Sequence, residues 1–182
     1  MKRDLLTIPN GLSALRILLV IPFFAVIFSN RSDARWWGVV LMVIAALTDK
    51  FDGMVARKLH CETEWGRILD PLADKIGVGA VAIGLLLKSW LPAWFVIVLL
   101  VRDLFILIGG LIIKRSTGEI VPSNLAGKWA VGIIGLTLTV ALIDDTTPVL
   151  GICIAASLVM VILSTAGYVK RFLQIIHLAP LQ

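Results

Sequence analysis

The sequence predicts an all-α fold that crosses a membrane with six transmembrane helices. Of its 182 residues, 59% are hydrophobic and only 16% charged, with a mean hydropathy of +0.97. The apolar residues gather in six runs, and turn-forming residues separate the runs. An ordinary soluble domain is about 45–50% apolar and about 25% charged, and one core of this size could not hide the excess. The same composition excludes disorder, which goes with few apolar residues. At ~20 residues per span, the chain has room for about six helices and short loops. Residues 1–182 therefore read as a single membrane-embedded domain with no separate soluble part.

The runs fall at roughly 11–29, 36–56, 69–88, 92–113, 125–143 and 147–169. Thr7-Ile8-Pro9-Asn10-Gly11 breaks the chain before the first run, leaving residues 1–8 as a short interfacial helix. Met1-Lys2-Arg3-Asp4 lacks a signal-peptide layout, so the first run is expected to stay in the membrane. Ser29-Asn30-Arg31-Ser32-Asp33 and Asp144-Asp145-Thr146-Thr147-Pro148 read as turns. Pro92 opens the fourth helix, where its missing N–H costs nothing. Small residues cluster in the third run (Ala73, Gly77, Gly79, Ala80, Gly84) and at Gly109-Gly110, as expected of close helix packing or a dimer face.

The net charge of +5 and pI of about 9.6 do not point to nucleic acid, because most of the basic residues sit at the ends of apolar runs. Lys2, Arg3, Arg57, Lys58, Arg67, Lys114, Arg115, Lys170 and Arg171 fall on one side. Arg31, Arg35 and Lys88 fall on the other, with Asp33, Asp144 and Asp145. The positive-inside rule then makes both termini and the 57–68 and 114–124 loops cytoplasmic. Trp36, Trp37, Trp90 and Trp94 lie near the opposite face as an aromatic belt. Cys61 and Cys153 are far apart, and His60 and His177 have no ligand neighbours, so neither a disulfide scaffold nor a zinc site is indicated.

Asp49, Asp52, Asp70 and Asp74 are out of place in such a chain. Asp49 and Asp52 share one helix face by their three-residue spacing, and Asp70 and Asp74 share another by their four-residue spacing. A carboxylate in hydrocarbon costs ~2.5–3.5 kcal/mol, and four together repel one another. Divalent cations are the natural compensation, since hard cations take carboxylate oxygens. Gly53 and Gly66 suit either a closely approaching ligand or a tight helix contact. Arg57, at the cytoplasmic boundary, could grip a phosphate or snorkel, and Lys50 and Lys75 could pair with the aspartates or snorkel. Carboxylates, metal and arginine together suit a diphosphate, with nothing that selects a nucleotide.

Residues 49–74 read Asp49-x-x-Asp52-Gly53-x-x-Ala56-Arg57, eight residues, then Gly66-x-x-x-Asp70-x-x-x-Asp74. This string resembles the signature of the CDP-alcohol phosphotransferases at every fixed position. The likeness extends to the six-helix layout and to Ile8-Pro9-Asn10 with Arg16. It implies that Asp49, Asp52 and Asp70 bind metal, with Asp74 beside the second ion and acting as general base toward the acceptor hydroxyl. It also implies that Gly53, Ala56, Arg57 and Gly66, with Asp49, line the CDP moiety, and that Asn10 and Arg16 assist there. Two Mg2+ or Mn2+ ions, a homodimer, CDP-diacylglycerol as donor and an alcohol as acceptor follow from the same resemblance. So does a site facing the cytoplasm from the bacterial inner membrane.

Arg102 lies near the middle of the fourth run, Lys114 and Arg115 end it, and Lys128 begins the fifth. A basic pocket of this kind suits an acceptor that itself carries phosphate, while pairing with Asp103 or plain positive-inside charge are the alternatives. Thr7-Ile8-Pro9-Asn10, Ile21-Pro22-Phe23-Phe24 and Leu69-Asp70-Pro71-Leu72-Ala73-Asp74-Lys75 resemble the members that use glycerol 3-phosphate and form phosphatidylglycerol phosphate. Val101-Arg102-Asp103 and Pro122-Ser123 look more like the members that use phosphatidylglycerol and form cardiolipin. Inositol phosphate is a further candidate acceptor. A cation transporter would also bury acids, but it would carry them near the midplane, often with internal repeats. The aspartates here lie toward helix ends, and no repeat is visible.

Overall fold

A computed structural model describes residues 8–59, 66–117 and 125–178, with side chains described within 14–49, 72–113 and 125–174. Every described element is a helix: α1 (Ile8–Leu18), α2 (Val20–Ile27), α3 (Ala34–Leu59), α4 (Gly66–Leu87), α5 (Ala93–Thr117), α6 (Leu125–Ile143) and α7 (Pro148–Leu178). The helices form two compact units, residues 1–90 and 91–182.

In the first unit the predicted first span becomes α1 and α2, which run on through Leu19 with only a local break. Leu19 keeps right-handed helical dihedrals, φ −63° and ψ −18°. Pro22 accounts for the break, because it has no N–H to give to the carbonyl of Leu18. The helix also starts three residues earlier than expected, at Ile8. Pro9 falls in its first turn, where the absent N–H would have had no helical partner anyway. The expected interfacial helix over residues 1–8 lies almost wholly outside the described residues.

α1 packs against both α3 and α4, and α2 against the same pair. Ala73, Gly79 and Gly84 of α4 are buried within this unit, and the Phe23 ring of α2 covers Gly84. Ala73, Gly79 and Gly84 therefore serve helix packing, whereas Gly77 has no described neighbour within 4 Å of where a Cβ would lie. α4 ends with Ser89 at φ 60°, with the Trp90 N–H bonded to the Leu85 carbonyl (2.9 Å) and the Ser89 N–H to that of Leu86 (2.8 Å). That is a left-handed C-terminal cap formed without glycine.

The predicted 29–33 turn is held by Arg31, whose Nε and Nη2 grip the two Asp33 oxygens at 2.8 and 2.9 Å. Trp37 Nε1 donates to Asp33 Oδ2 at 2.9 Å. The Arg31 fork holds the Asp33 carboxyl well below the usual carboxylate range. Arg35 stacks over Trp90 at 3.9 Å and the Lys88 ammonium over Phe28 at 4.9 Å, so part of the tryptophan belt is engaged with cations. Trp36 and Trp94 remain exposed.

In the second unit α7 packs against α5 and α6. The Thr137 hydroxyl of α6 lies 2.8 Å from Ser157 Oγ and 3.1 Å from the Cys153 carbonyl oxygen of α7. This buried polar seam is how helices associate where the surroundings are as apolar as the side chains. The 144–148 turn closes through Asp144 Oδ1, which accepts from the N–H and hydroxyl of Thr146 at 2.9 and 2.7 Å. Residues 93–113, 125–143 and 148–174 are helices long and apolar enough to cross a membrane. Large apolar side chains such as Val101, Leu104, Ile108 and Ile162 cover their outsides.

Candidate active site

Two of the four motif aspartates have described side chains, and they meet at one arginine. α1 brings Arg16 to Asp49 of α3 and Asp74 of α4. Nη2 lies 3.1 Å from Asp49 Oδ1, and Nη1 donates to Asp74 Oδ1. Arg16 is only 4% exposed, whereas the carboxylates are 53% and 48% exposed. The guanidinium thus lies behind the acids, and the acids present themselves outward.

A buried guanidinium is tolerable here because two carboxylates compensate it, and the carboxylates are tolerable beside each other for the same reason. The sequence points for that compensation to metal, or to Lys50 and Lys75, and not to Arg16. Arg16 cancels one of the four formal negative charges of the motif and leaves an excess that divalent cations would still offset. The signal was a lone arginine inside an apolar run, 58 residues from Asp74, with no local spacing to connect them.

The backbone places Asn10 in α1, Asp52, Gly53, Ala56 and Arg57 in α3, Gly66 and Asp70 in α4, and Lys114 and Arg115 in α5. Their side-chain positions lie outside the described residues. Among the described residues, no three metal-ligating side chains converge. The donor chemistry fits a hard cation nonetheless: Asp49 and Asp74 are half-exposed carboxylates from different helices, held at one point.

In the second unit Arg102, 10% exposed, is committed to neighbours. Nη1 donates to Asp103 Oδ1 and Nη2 to Ser164 Oγ of α7, both at 2.7 Å. The local pairing with Asp103 is therefore formed, together with a tie to α7 that the sequence did not suggest. Nε of Arg102 is buried without a hydrogen-bond partner among the described residues. Lys128 is exposed in the first turn of α6, and no described contact joins it to Arg102.

The described residues thus combine an apolar helical fold with an arginine-backed pair of aspartates from two helices, within a sequence motif of four acids. Residues 6–168 match the CDP-alcohol phosphatidyltransferase family, and the chain belongs to that family. It is 38% identical to the Bacillus subtilis CDP-diacylglycerol–glycerol-3-phosphate 3-phosphatidyltransferase over 139 residues, 68% of this chain and 71% of the relative. It is 28% identical to a Mycobacterium tuberculosis protein named "Probable phosphatidylglycerophosphate synthase", over 91% of this chain and 81% of the relative. A Mycobacterium bovis relative with a provisional cardiolipin synthase name is 37% identical over 69% of this chain and 59% of its own length. Family membership decides for an enzyme over a transporter.

Proposed function

We propose that this protein transfers the phosphatidyl group of CDP-diacylglycerol to the hydroxyl of glycerol 3-phosphate, forming phosphatidylglycerol phosphate and CMP. The acceptor oxygen forms a bond to the phosphatidyl phosphorus, the bridging P–O bond breaks, and CMP leaves with that electron pair. Asp74 accepts the hydroxyl proton. Asp49, Asp52, Asp70 and Asp74 would hold two Mg2+ or Mn2+ ions, which would neutralise the diphosphate and stabilise the departing phosphate. Gly53, Ala56, Arg57 and Gly66, with Asn10, bind the CDP moiety. Arg102 and Lys128, with Lys114 and Arg115, are assigned to the acceptor phosphate by their basic chemistry.

The observation that carries this reading is the meeting of Asp49 and Asp74, the first and last motif acids, at Arg16. The names of the relatives, over 68% and 91% of the chain, support glycerol 3-phosphate as acceptor. The family match runs through both units, which supports one catalytic domain over residues 1–182. The three apolar helices, together with α1–α2, α3 and α4, support six spans in a bacterial inner membrane. Both termini and the site face the cytoplasm, and the protein works as a homodimer.

The test is CMP release from CDP-diacylglycerol by purified protein with Mg2+ or Mn2+. Glycerol 3-phosphate, phosphatidylglycerol, inositol phosphate and serine are compared as acceptors. Release with glycerol 3-phosphate alone is expected. Release only with phosphatidylglycerol would make the protein a cardiolipin synthase, the second reading, which the Mycobacterium bovis relative and Val101-Arg102-Asp103 favour.

A further inference from the structure

We propose that Arg16 is a positioning residue that holds Asp49 and Asp74 in place for the metal, rather than a ligand for substrate phosphate. The inference rests on reading those two aspartates as metal ligands. Its basis is a division of exposure within one ion-pair cluster: the guanidinium is 4% exposed, and the carboxylates it joins are 53% and 48% exposed. A phosphate approaching from the open side meets carboxylates first, and these repel it. A cation approaching from the same side meets two oxygen-bearing groups already drawn together. Asp49 and Asp74 come from different helices, and in the absence of a positive charge their repulsion drives α3 and α4 apart at this point. Arg16, carried by a third helix packed on both, supplies that charge from the buried side. Groups that orient metal ligands typically change metal affinity or activity by roughly 10- to 100-fold when removed.

The experiment follows the melting temperature of the purified full-length protein by tryptophan fluorescence, in EDTA and with added Mn2+. Arg16→Leu is expected to lower the Tm in EDTA by a few degrees, because it removes the counter-charge of two half-exposed carboxylates. Subsaturating Mn2+ is expected to raise the Tm of Arg16→Leu by less than it raises that of the wild type, since the ion then meets acids that are no longer held together. Arg16→Lys, which keeps the charge, is expected to recover most of the Tm in EDTA. In the same buffer, Asp49→Asn changes stability far less on the Arg16→Leu background than on the wild type. At subsaturating Mn2+ the turnover of Arg16→Leu falls roughly 10- to 100-fold, and at saturating Mn2+ its CDP-diacylglycerol KM is near that of the wild type.

An Mn2+-induced Tm rise equal to that of the wild type, with a donor KM raised even at saturating Mn2+, would assign Arg16 to substrate phosphate and overturn the proposal. Additive effects of Arg16→Leu and Asp49→Asn in EDTA would overturn it as well. If Arg16→Leu does not fold, Arg16→Gln, a donor without charge, replaces it with the same expectations. A wild type that releases no CMP with any acceptor defeats the reading of function, while the EDTA cycle still decides what Arg16 holds.

Discussion

Ser164→Ala separates the two roles available to Arg102 without removing the arginine. The substitution deletes the 2.7 Å bond from Arg102 Nη2 to Ser164 Oγ and leaves the 2.7 Å pair with Asp103 in place. Ser164 is buried, so water does not replace the lost oxygen. Hydrogen bonds between membrane helices are worth ~0.6 kcal/mol on average and up to ~1.7, so a loss of about 1 kcal/mol is expected. In a chain of this size that lowers Tm by about 2–4 °C. If the guanidinium holds the acceptor phosphate, loosening its far end raises the acceptor KM by about fivefold, the kinetic equivalent of the same energy. Arg102→Ala removes the whole contact and raises it by roughly tenfold or more, with the KM for CDP-diacylglycerol little changed. The assay is initial-rate CMP release at varied acceptor and fixed donor, paired with Tm. A fall in Tm with neither KM altered, or with both raised together, would make Arg102 a structural tie between α5 and α7 and move the acceptor pocket elsewhere.

Asp74→Asn is expected to abolish turnover while CDP-lipid binding survives, measured by calorimetry; rates like the wild type's would remove Asp74 as base. Asp49→Asn should instead lose metal-dependent nucleotide binding, and an unchanged titration would count against its role as ligand. Gly109→Ala places a methyl carbon 2.8 Å from the Tyr168 hydroxyl oxygen and 2.9 Å from Cε1, displacing a ring that also bonds the Ile106 carbonyl. Overpacking of this kind costs ~1–3 kcal/mol, so Tm should drop by several degrees and Tyr168→Leu should restore it; an unaltered Tm contradicts the contact. Ser89→Gly relieves a non-glycine residue at φ 60°, a conformation worth roughly 1–2 kcal/mol, and should raise Tm by a few degrees, whereas a fall would mean the serine side chain supports the cap.

The helices themselves were legible because lipid imposes a simple rule on composition. Residues 125–143 are helical over the predicted range, and the 29–33 and 144–148 turns close through the aspartates that marked them. Where the prediction slipped, the cause was backbone chemistry weighed wrongly. Pro9 was read as a breaker, though it sits in a first turn, and Pro22 was passed over, though it interrupts the bonding between α1 and α2. The motif acids were legible because carboxylates are costly in a membrane and their spacing repeats a helical turn. What answers them was not, because a counter-charge can come from any helix that packs nearby. Arg102 shows the same limit, since nothing local to 102 indicates Ser164, 62 residues away.

The two arginines illustrate one rule with different consequences. Each is a nearly buried arginine within an apolar run, and each is made tolerable by carboxylate pairing. Arg102 pairs with its immediate neighbour, so its charge is largely answered within α5, and its tie to α7 is a neutral hydroxyl. Arg16 has no acid on its own helix and draws its partners from two others. Its position therefore depends on the assembly of α1, α3 and α4, and so does that of the acids it joins. An arginine satisfied locally keeps its partner through modest helix movement, whereas one satisfied by two other helices couples their separation to the charge at the site. That coupling makes the Asp49–Asp74 arrangement depend on α1, which carries none of the motif.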